Sequence, residues 1–255
     1  MPSPVEQQRA VAVLILKVIS GDDFALAGSG ALREHGLIDR PTQDIDMFTL
    51  DAATERFHGA VERTIATLIG HGFRVVPVRR LAQFARLAVT ASDDYQFEVD
   101  FGVDWRAQDP VWLEVGPVLA LTDAVANKVG ALYSRAAARD FLDVDAIRQS
   151  GRFADAELLR LAAEHDPGFD PLMFADQLGL VATVRPSLAA EYGVSADALA
   201  AIQQRLQAWR QQILESRPGE LTDIAGRWEV VETRTPNLHH EPPRHSNGPS
   251  RGMPI

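Results

Sequence analysis

Apolar residues recur at helical spacing at the start of the chain and predict its first elements. Residues 5–20 place them three and four positions apart and stop before Gly21, which predicts a helix. An apolar strand is expected over 24–27. The Gly28-Ser29-Gly30 sequence then interrupts the pattern, and a short helix over 31–37 is expected to open from this turn.

The pattern changes to alternation after Pro41. QDIDMF alternates polar and apolar residues, as a half-buried strand does. A Ser-Asp-Asp turn predicts that the last two of three later strands form a hairpin. The further elements expected in this part are a helix over 51–70 and strands over 73–80, 84–91 and 95–103.

From Thr122 onward, helical periodicity dominates and no strand is expected. After Thr233 the chain holds five prolines and three histidines with little apolar periodicity, which predicts a disordered tail. We therefore expect an α/β core over 1–120, a helical domain over 121–232 and the tail over 233–255. The helices expected are 122–135, 137–150, 154–165 and 195–217, the last with Trp209 in the core.

Composition excludes several classes of protein. The 255 residues include 46% apolar and 24% charged residues and no cysteine, which excludes disulfide frameworks, thiolate metal sites and cysteine nucleophiles. Neither a signal peptide nor an apolar run of about 18 residues is evident, so we expect a cytoplasmic protein without a membrane role. The net charge of −10 disfavours a general nucleic-acid coat.

Asp44 and Asp46 are the first candidates for chemistry. Side chains alternate across a strand, so both carboxylates are expected on one face while Ile45 and Met47 point into the core. Two carboxylates so placed suit a hard divalent cation such as Mg²⁺. A solvated strand face is the alternative for this pair alone.

The Gly28-Ser29-Gly30 turn is the second candidate. Main-chain N–H groups between a strand and a helix form an anion site, to which Ser29 can add a hydroxyl donor. Alone it is a plain loop. Beside Asp44 and Asp46 it describes a triphosphate cradle next to a metal site.

Asp100 is the expected third carboxylate if two metal ions bind. Gln96, Glu98 and Asp100 share one face of their strand, and Asp100 lies beside Asp44 and Asp46 if the two strands are neighbours. Glu98 is the alternative ligand, and an exposed hairpin face is the alternative to any site here.

Together these residues resemble a known family. FALAGSGAL (24–32) followed by RPTQDIDMF (40–48) is similar to the nucleotidyltransferase toxins of the AbiEii and MenT group, in the polymerase-β-like superfamily. The family pattern continues with a helical lysine, here Lys128, and an R-D-x-x-D helix, here 139–143. The resemblance implies an α+β fold, with a polymerase-β-like nucleotidyltransferase core and mixed sheet followed by a C-terminal helical region.

The resemblance also implies an activity: Mg²⁺-dependent transfer of NMP from an NTP to an RNA 3′ hydroxyl, at the tRNA acceptor end. Mn²⁺ is the alternative metal. The protein would be the toxin of a toxin–antitoxin pair, with a cognate antitoxin as partner. Asp143 is expected only to pair with Arg139. The implied catalytic residues are Asp44, Asp46, Lys128 and Asp140, the nucleotide-binding residues are Gly28, Ser29 and Lys128, and the metal ligands are Asp44, Asp46 and Asp100.

Lys128 has a physical reason to act on phosphates. Only two of the 25 basic residues are lysines, and a compact ammonium can offset the charge that develops on departing pyrophosphate. Asp140 would orient Lys128 or the nucleotide. A solvated lysine is the alternative.

A basic segment predicts where RNA binds. Between Glu62 and Asp93 there is no acidic residue, whereas five arginines are present. Arginines that neutralise phosphates bind RNA with an affinity that falls as salt rises. The alternative is that these arginines pair with acidic helices of the same protein. The arginines expected to bind RNA are Arg74, Arg79, Arg80 and Arg86.

Two other functions fit the same motifs. A nucleotidyltransferase could act on a small-molecule or protein hydroxyl with nearly the same active site. An inactive nucleotide-binding module could keep the fold without turnover, although clustered like charges are costly to retain without a use.

Overall fold

A computed structural model describes residues 3–42, 44–50 and 54–216. These residues form one mixed sheet of seven strands with the order β3-β4-β5-β2-β1-β7-β6. Strand β2 pairs in parallel with β5 and antiparallel with β1. The strands are β1 (Ala25–Leu26), β2 (Asp44–Thr49), β3 (Arg74–Arg80), β4 (Phe84–Thr90), β5 (Gln96–Val103), β6 (Val111–Leu113) and β7 (Gly116–Val118).

The helices of the described residues cover the sheet and then continue without strands from Leu121 to Glu215. A 3-10 helix over Leu180–Thr183 joins two of them, and none is long and apolar enough to span a membrane. They are α1 (Pro4–Val18), α2 (Gly28–Glu34), α3 (Thr54–Gly70), α4 (Leu121–Arg135), α5 (Ala138–Gln149), α6 (Asp155–His165), α7 (Pro171–Gly179), α8 (Pro186–Ala190) and α9 (Ala196–Glu215).

This is the α+β fold that the sequence predicts. The alternation in β2 buries Ile45 and Met47 as expected, and β4 and β5 form the predicted antiparallel hairpin. The segment after Thr122 is helical throughout its described part, and Trp209 is buried in α9. The division into a core and a helical domain stays a prediction, and the expected tail over 233–255 lies outside the described residues.

Two local expectations differ from the structure. Helix α2 begins at Gly28 and not at residue 31, so the predicted glycine turn forms the first turn of the helix itself. The antiparallel pair β6 and β7 has no counterpart in the sequence prediction, because strands of three residues are too short to show alternation. Helices α7 and α8, of nine and five residues, were likewise not predicted.

The last helix is fastened to α5. Arg205 of α9 donates two hydrogen bonds to the Asp145 carboxylate, at 2.9 and 2.6 Å. Arg148 of α5 lies over the ring of Trp209, 4.4 Å from its centroid. Helix α5 also carries Asp140 and Asp143, so these contacts help to set its position beside the sheet.

Candidate active site

A cavity of about 640 Å³ lies between the sheet and helices α4 and α5. Its sheet wall is set by register: Asp46 of β2 is opposite Asp100 of the parallel strand β5, and Asp100 is opposite Arg86 of β4. The predicted adjacency of the two acidic strands is therefore present. The charged side chains that line the cavity are Asp44, Asp46, Arg86, Asp100, Asp104, Lys128, Arg135 and Arg139.

Gly28 lines the cavity and lies directly against the Asp46 side chain. Its φ is +55°, and a β-carbon at this position would lie 1.8 Å from Oδ2 of Asp46. The N–H of the preceding Ala27 donates to the main-chain oxygen of Asp46 at 2.8 Å. Only glycine fits both this conformation and this approach, so the start of α2 and the Asp46 carboxylate form one unit.

The three predicted metal ligands have different partners. Asp44 accepts a 2.8 Å hydrogen bond from Arg139, and Asp100 accepts two from Arg86, at 2.7 and 2.6 Å. The Asp46 carboxylate has no hydrogen bond or ion pair to any described residue. Burial and the neighbouring Asp44 raise the pKa of Asp46 to about 7, with Asp100 adding to the rise and Lys128 opposing it.

The carboxylates are not arranged as a finished metal site. Among the described residues, no three Asp, Glu or His side chains are grouped closely enough to hold a metal ion. The ion pairs with Arg86 and Arg139 give a physical reason, because each arginine holds one of the outer carboxylates. The metal-binding role of Asp44, Asp46 and Asp100 stays a prediction.

Lys128 lies on α4 at the centre of a buried polar cluster. Its Nζ lies 2.9 Å from Oδ2 of Asp143, 3.3 Å from the hydroxyl of Ser29 and 3.7 Å from Oδ1 of Asp140. Ser29 donates its proton to Asp143 at 3.0 Å and accepts from Arg40 at 3.1 Å. The hydroxyl expected to bind nucleotide is therefore engaged within the protein.

Asp143 has a different role from the predicted one. The expected Arg139–Asp143 pair is wrong: Arg139 contacts Asp44, whereas Asp143 binds Lys128 and accepts two hydrogen bonds from Arg40, at 2.6 and 2.7 Å. Burial by itself would raise the pKa of Asp143, but Lys128 and Arg40 hold it below its usual value. Asp143 is thus an ionised partner that fixes Lys128.

Asp140 does not line the cavity itself but binds a residue that does. Its carboxylate is fully buried, accepts from the N–H of Ala137 at 3.2 Å and binds Arg135 through hydrogen bonds of 2.8 and 2.9 Å. Arg135 lines the cavity with half of its side chain exposed. This geometry makes Asp140 a positioning residue for Arg135, and its predicted catalytic role remains untested.

Some arginines of the basic segment are paired with acidic residues and others are not. Arg63 pairs with Asp22, Arg80 with Glu62, and Arg86 with Asp100 and Glu98, so pairing with acids holds for three of the five arginines. Within the part of the chain that the structure covers, Arg74 and Arg79 have no acidic partner, and Arg79 lies 5.8 Å from the ring centroid of Phe84. Arg86 lies inside the cavity.

Sequence reasoning missed several residues of the site. Arg40 follows the α2 segment and has no local motif, so only its contact with Asp143 reveals it. Arg139 belongs to the R-D-x-x-D motif. The motif identified this helix as part of the site, but it did not predict the contact between Arg139 and Asp44. Asp104 and Asn127 also line the cavity and are hydrogen-bonded to each other, and no spacing rule connects them.

Comparison with family models identifies the chain as a nucleotidyltransferase. The family model for "Nucleotidyl transferase AbiEii toxin, Type IV TA system" matches residues 9–230, so the chain belongs to the AbiEii family of nucleotidyltransferase toxins of toxin–antitoxin systems. The resemblance seen in the sequence is thereby confirmed.

Solved structures give a second comparison. MenT4, a nucleotidyltransferase toxin from Mycobacterium tuberculosis H37Rv, is 19% identical, with 87% of this chain and 88% of that chain covered and a TM-score of 0.52. JHP933 from Helicobacter pylori is 17% identical over 89% of this chain and 92% of that chain, with a TM-score of 0.45. The likeness to MenT4 supports the fold. A search of curated proteins gave no match.

Proposed function

We propose that this toxin transfers NMP from an NTP to the 3′ hydroxyl of an RNA, at the acceptor end of tRNA, with Mg²⁺ as cofactor. The observation that carries the proposal is Asp46, a carboxylate without a hydrogen bond or ion pair among the described residues, which lies opposite Asp100 in a cavity that Lys128 also lines. Blocking tRNA in the cytoplasm would arrest growth until a cognate antitoxin intervenes.

The donor set fits a divalent cation. Carboxylate oxygens are the ligands that Mg²⁺ prefers, and Asp46 has no competing protein partner in the described chain. Asp44, Asp46 and Asp100 would hold the metal, with Mn²⁺ as the alternative ion. The bound metal would align the attacking hydroxyl with the α-phosphate and stabilise charge on the phosphoryl oxygens.

The helical side of the cavity, formed by α2, α4 and α5, suits the triphosphate. Lys128, Arg135 and Arg139 line it, and the first N–H groups of α2, at Gly28 and Ser29, have no intrahelical acceptor. The hydroxyl oxygen attacks the α-phosphorus while its proton passes to water, the bond from the α-phosphorus to the bridging oxygen breaks, and pyrophosphate leaves with that oxygen. Lys128 would offset the charge on that leaving group.

RNA would approach across the edge of the sheet. Strand β3 is an edge strand, and its Arg74 and Arg79 are free of acidic partners in the described structure. Guanidinium groups that are not already paired can neutralise phosphates at little desolvation cost. The remaining predicted RNA contacts, Arg80 and Arg86, would first have to leave Glu62 and Asp100.

The test is transfer of label. Protein incubated with each α-labelled NTP, Mg²⁺ and total tRNA should label the RNA, and Asp46→Asn should reduce labelling at least ~100-fold. Asp109→Asn is the matched control, because Asp109 is an exposed aspartate outside the cavity. Absence of label from every RNA, together with equal growth inhibition by wild type and Asp46→Asn, would overturn the proposal.

One observation favours a second candidate acceptor. Three of the five arginines in the basic segment are already paired within the protein, which leaves a small surface for RNA. A small-molecule or protein hydroxyl would need no such surface. Label that appears in a small-molecule or protein fraction of a cell extract, and not in RNA, would favour this candidate.

A further inference from the structure

One end of the cavity differs in chemistry from the phosphate wall. Each basic side chain that lines the cavity is bound to an acid: Lys128 to Asp143, Arg86 to Asp100, Arg135 to Asp140 and Arg139 to Asp44. None of these four side chains has a hydrogen bond or ion pair with Asp104 or Asn127 in the described structure, and these two residues line the cavity next to the carboxyl end of β5. This end offers hydrogen-bond acceptors that none of the four cations neutralises, beside an apolar surface whose Phe84 ring centroid lies 6.0 Å from the Arg86 guanidinium carbon.

The apolar surface is a row across three strands. Gly102 of β5 is opposite Phe48 of β2 on one side and Phe84 of β4 on the other, and all three line the cavity. A β-carbon at Gly102 would lie 3.2 Å from the Phe48 ring. The absent side chain thus lets the Phe48 ring pack close to the main chain of Gly102, and aromatic rings that line a cavity can stack nucleobases.

The acceptors lie beyond this row. Asn127 donates its amide to Oδ2 of Asp104 at 3.2 Å, which orients the amide and leaves its Oδ1 buried without a hydrogen bond in the described structure. Asp104 also accepts from the N–H of Trp105 at 2.9 Å, and burial raises the pKa of Asp104. A buried, unsatisfied acceptor is costly, so we expect the Asn127 amide to turn toward a ligand that brings hydrogen-bond donors into the cavity.

The spacing suits one nucleotide. Asp104 follows Asp100 by four residues, about 13 Å in an extended chain. This is comparable with the span from the α-phosphate of an NTP to the outer edge of its base. We propose that this end of the cavity binds the nucleoside of the incoming NTP, with its base on the Phe48–Gly102–Phe84 row and its donor groups read by Asp104 and Asn127.

The inference rests on the proposed function, because it takes an NTP as the ligand. A nucleoside presents donors at the ribose hydroxyls, at the exocyclic amino group of cytosine, adenine and guanine, and at the ring N–H of uracil and guanine. An amino group offers two donors to two neighbouring acceptors, whereas the single N–H of uracil lies between two carbonyl oxygens that those acceptors repel. The ribose hydroxyls and the amino group therefore both satisfy the pair of acceptors. The site therefore selects either ribonucleotides over deoxyribonucleotides or amino-bearing bases over uracil.

The experiment is a set of binding measurements without RNA. Calorimetry with Mg²⁺ and non-hydrolysable α,β-methylene analogues of ATP, CTP, GTP, UTP and the matching deoxynucleotides gives a Kd for each. In the wild type, one class of nucleotide should bind about tenfold more weakly than the best ribonucleotide. If that class is UTP, the site recognises the base; if it is the deoxynucleotides, the site recognises the sugar. Asn127→Leu and Asp104→Asn should each reduce that preference to about twofold or less.

Controls separate the possible outcomes. Gln108→Leu replaces an exposed amide outside the cavity and should keep the wild-type preference. Gly102→Val places a side chain against the Phe48 ring and should weaken every nucleotide together. Equal binding of all nucleotides by the wild type, or a preference that survives both Asn127→Leu and Asp104→Asn, would overturn the inference and leave the proposed function intact. Failure of every nucleotide to bind would overturn both.

Discussion

The main chain at Gly28 lies so close to the Asp46 carboxylate that a β-carbon there would stand 1.8 Å from Oδ2. The glycine of the first motif and the second aspartate of the D-I-D motif are therefore interdependent, although 18 positions separate them in the sequence. A change at either residue must alter the other.

Gly28→Ala should lower the rate of transfer about 100-fold or more by displacing Asp46. The positive φ costs an alanine ~1–2 kcal/mol, and the clash must move the carboxylate by about 1 Å or more, a displacement that costs on the order of 100-fold in rate. Gly36→Ala is the matched control, because Gly36 also has a positive φ, +71°, but no atom within 4 Å of the added carbon. Label transfer and thermal unfolding of both variants test this; equal activities would contradict it.

Lys128→Arg should lower the rate of transfer at least ~100-fold, although the substitution keeps the positive charge. A planar guanidinium cannot replace a compact ammonium in the buried space among Ser29, Asp140 and Asp143. The chain's other lysine supplies the control: Lys17 is exposed in the last turn of α1, and Lys17→Arg should be fully active. A fully active Lys128→Arg enzyme would show that no point charge is required there.

Asp46 should make the metal-free protein less stable as the pH rises. Its pKa is about 7 in the folded protein and ~3.9 in an unfolded chain, so the folded state binds more protons between these values and loses stability from pH 4 to 7. The unfolding temperature measured in EDTA should fall over this pH range in the wild type and fall less in Asp46→Asn. The control Asp109→Asn should behave like the wild type. Parallel curves for wild type and Asp46→Asn would contradict the raised pKa.

Arg74→Gln combined with Arg79→Gln should weaken RNA binding and make it less dependent on salt. Each lost phosphate contact lowers the slope of log K against log salt by about 0.7 for a single strand. Arg185→Gln, which removes an exposed arginine of the helical region, should leave the slope unchanged. Titrations of tRNA at several salt concentrations measure it, and an unaltered slope in the double variant would remove β3 from the RNA surface.

The sequence predicted those parts of the site that depend on local periodicity. Alternation in β2 was sufficient to put Asp44 and Asp46 on one face, and the same rule selected Asp100. Their proximity required one further condition, the adjacency of β2 and β5, which no local pattern could establish.

Contacts between distant segments could not be predicted in this way. The four-residue spacing of Arg139 and Asp143 suggested a pair within one helix, but Arg139 reaches Asp44, 95 residues earlier in the chain, and Asp143 binds Arg40 and Lys128. The same limit applied to the arginines of the basic segment, since charge counting cannot show that Asp22, Glu62 and Asp100 neutralise three of them.

The bond between Arg205 and Asp145 has a consequence for synthesis of the toxin. The helix that supplies Asp143 to Lys128 is anchored by a residue 60 positions further on. A nascent chain on the ribosome cannot make this anchor until residue 205 has emerged, and a product truncated before it would lack the anchor altogether. The contact that fixes α5 therefore forms only after nearly all of the described chain has been made.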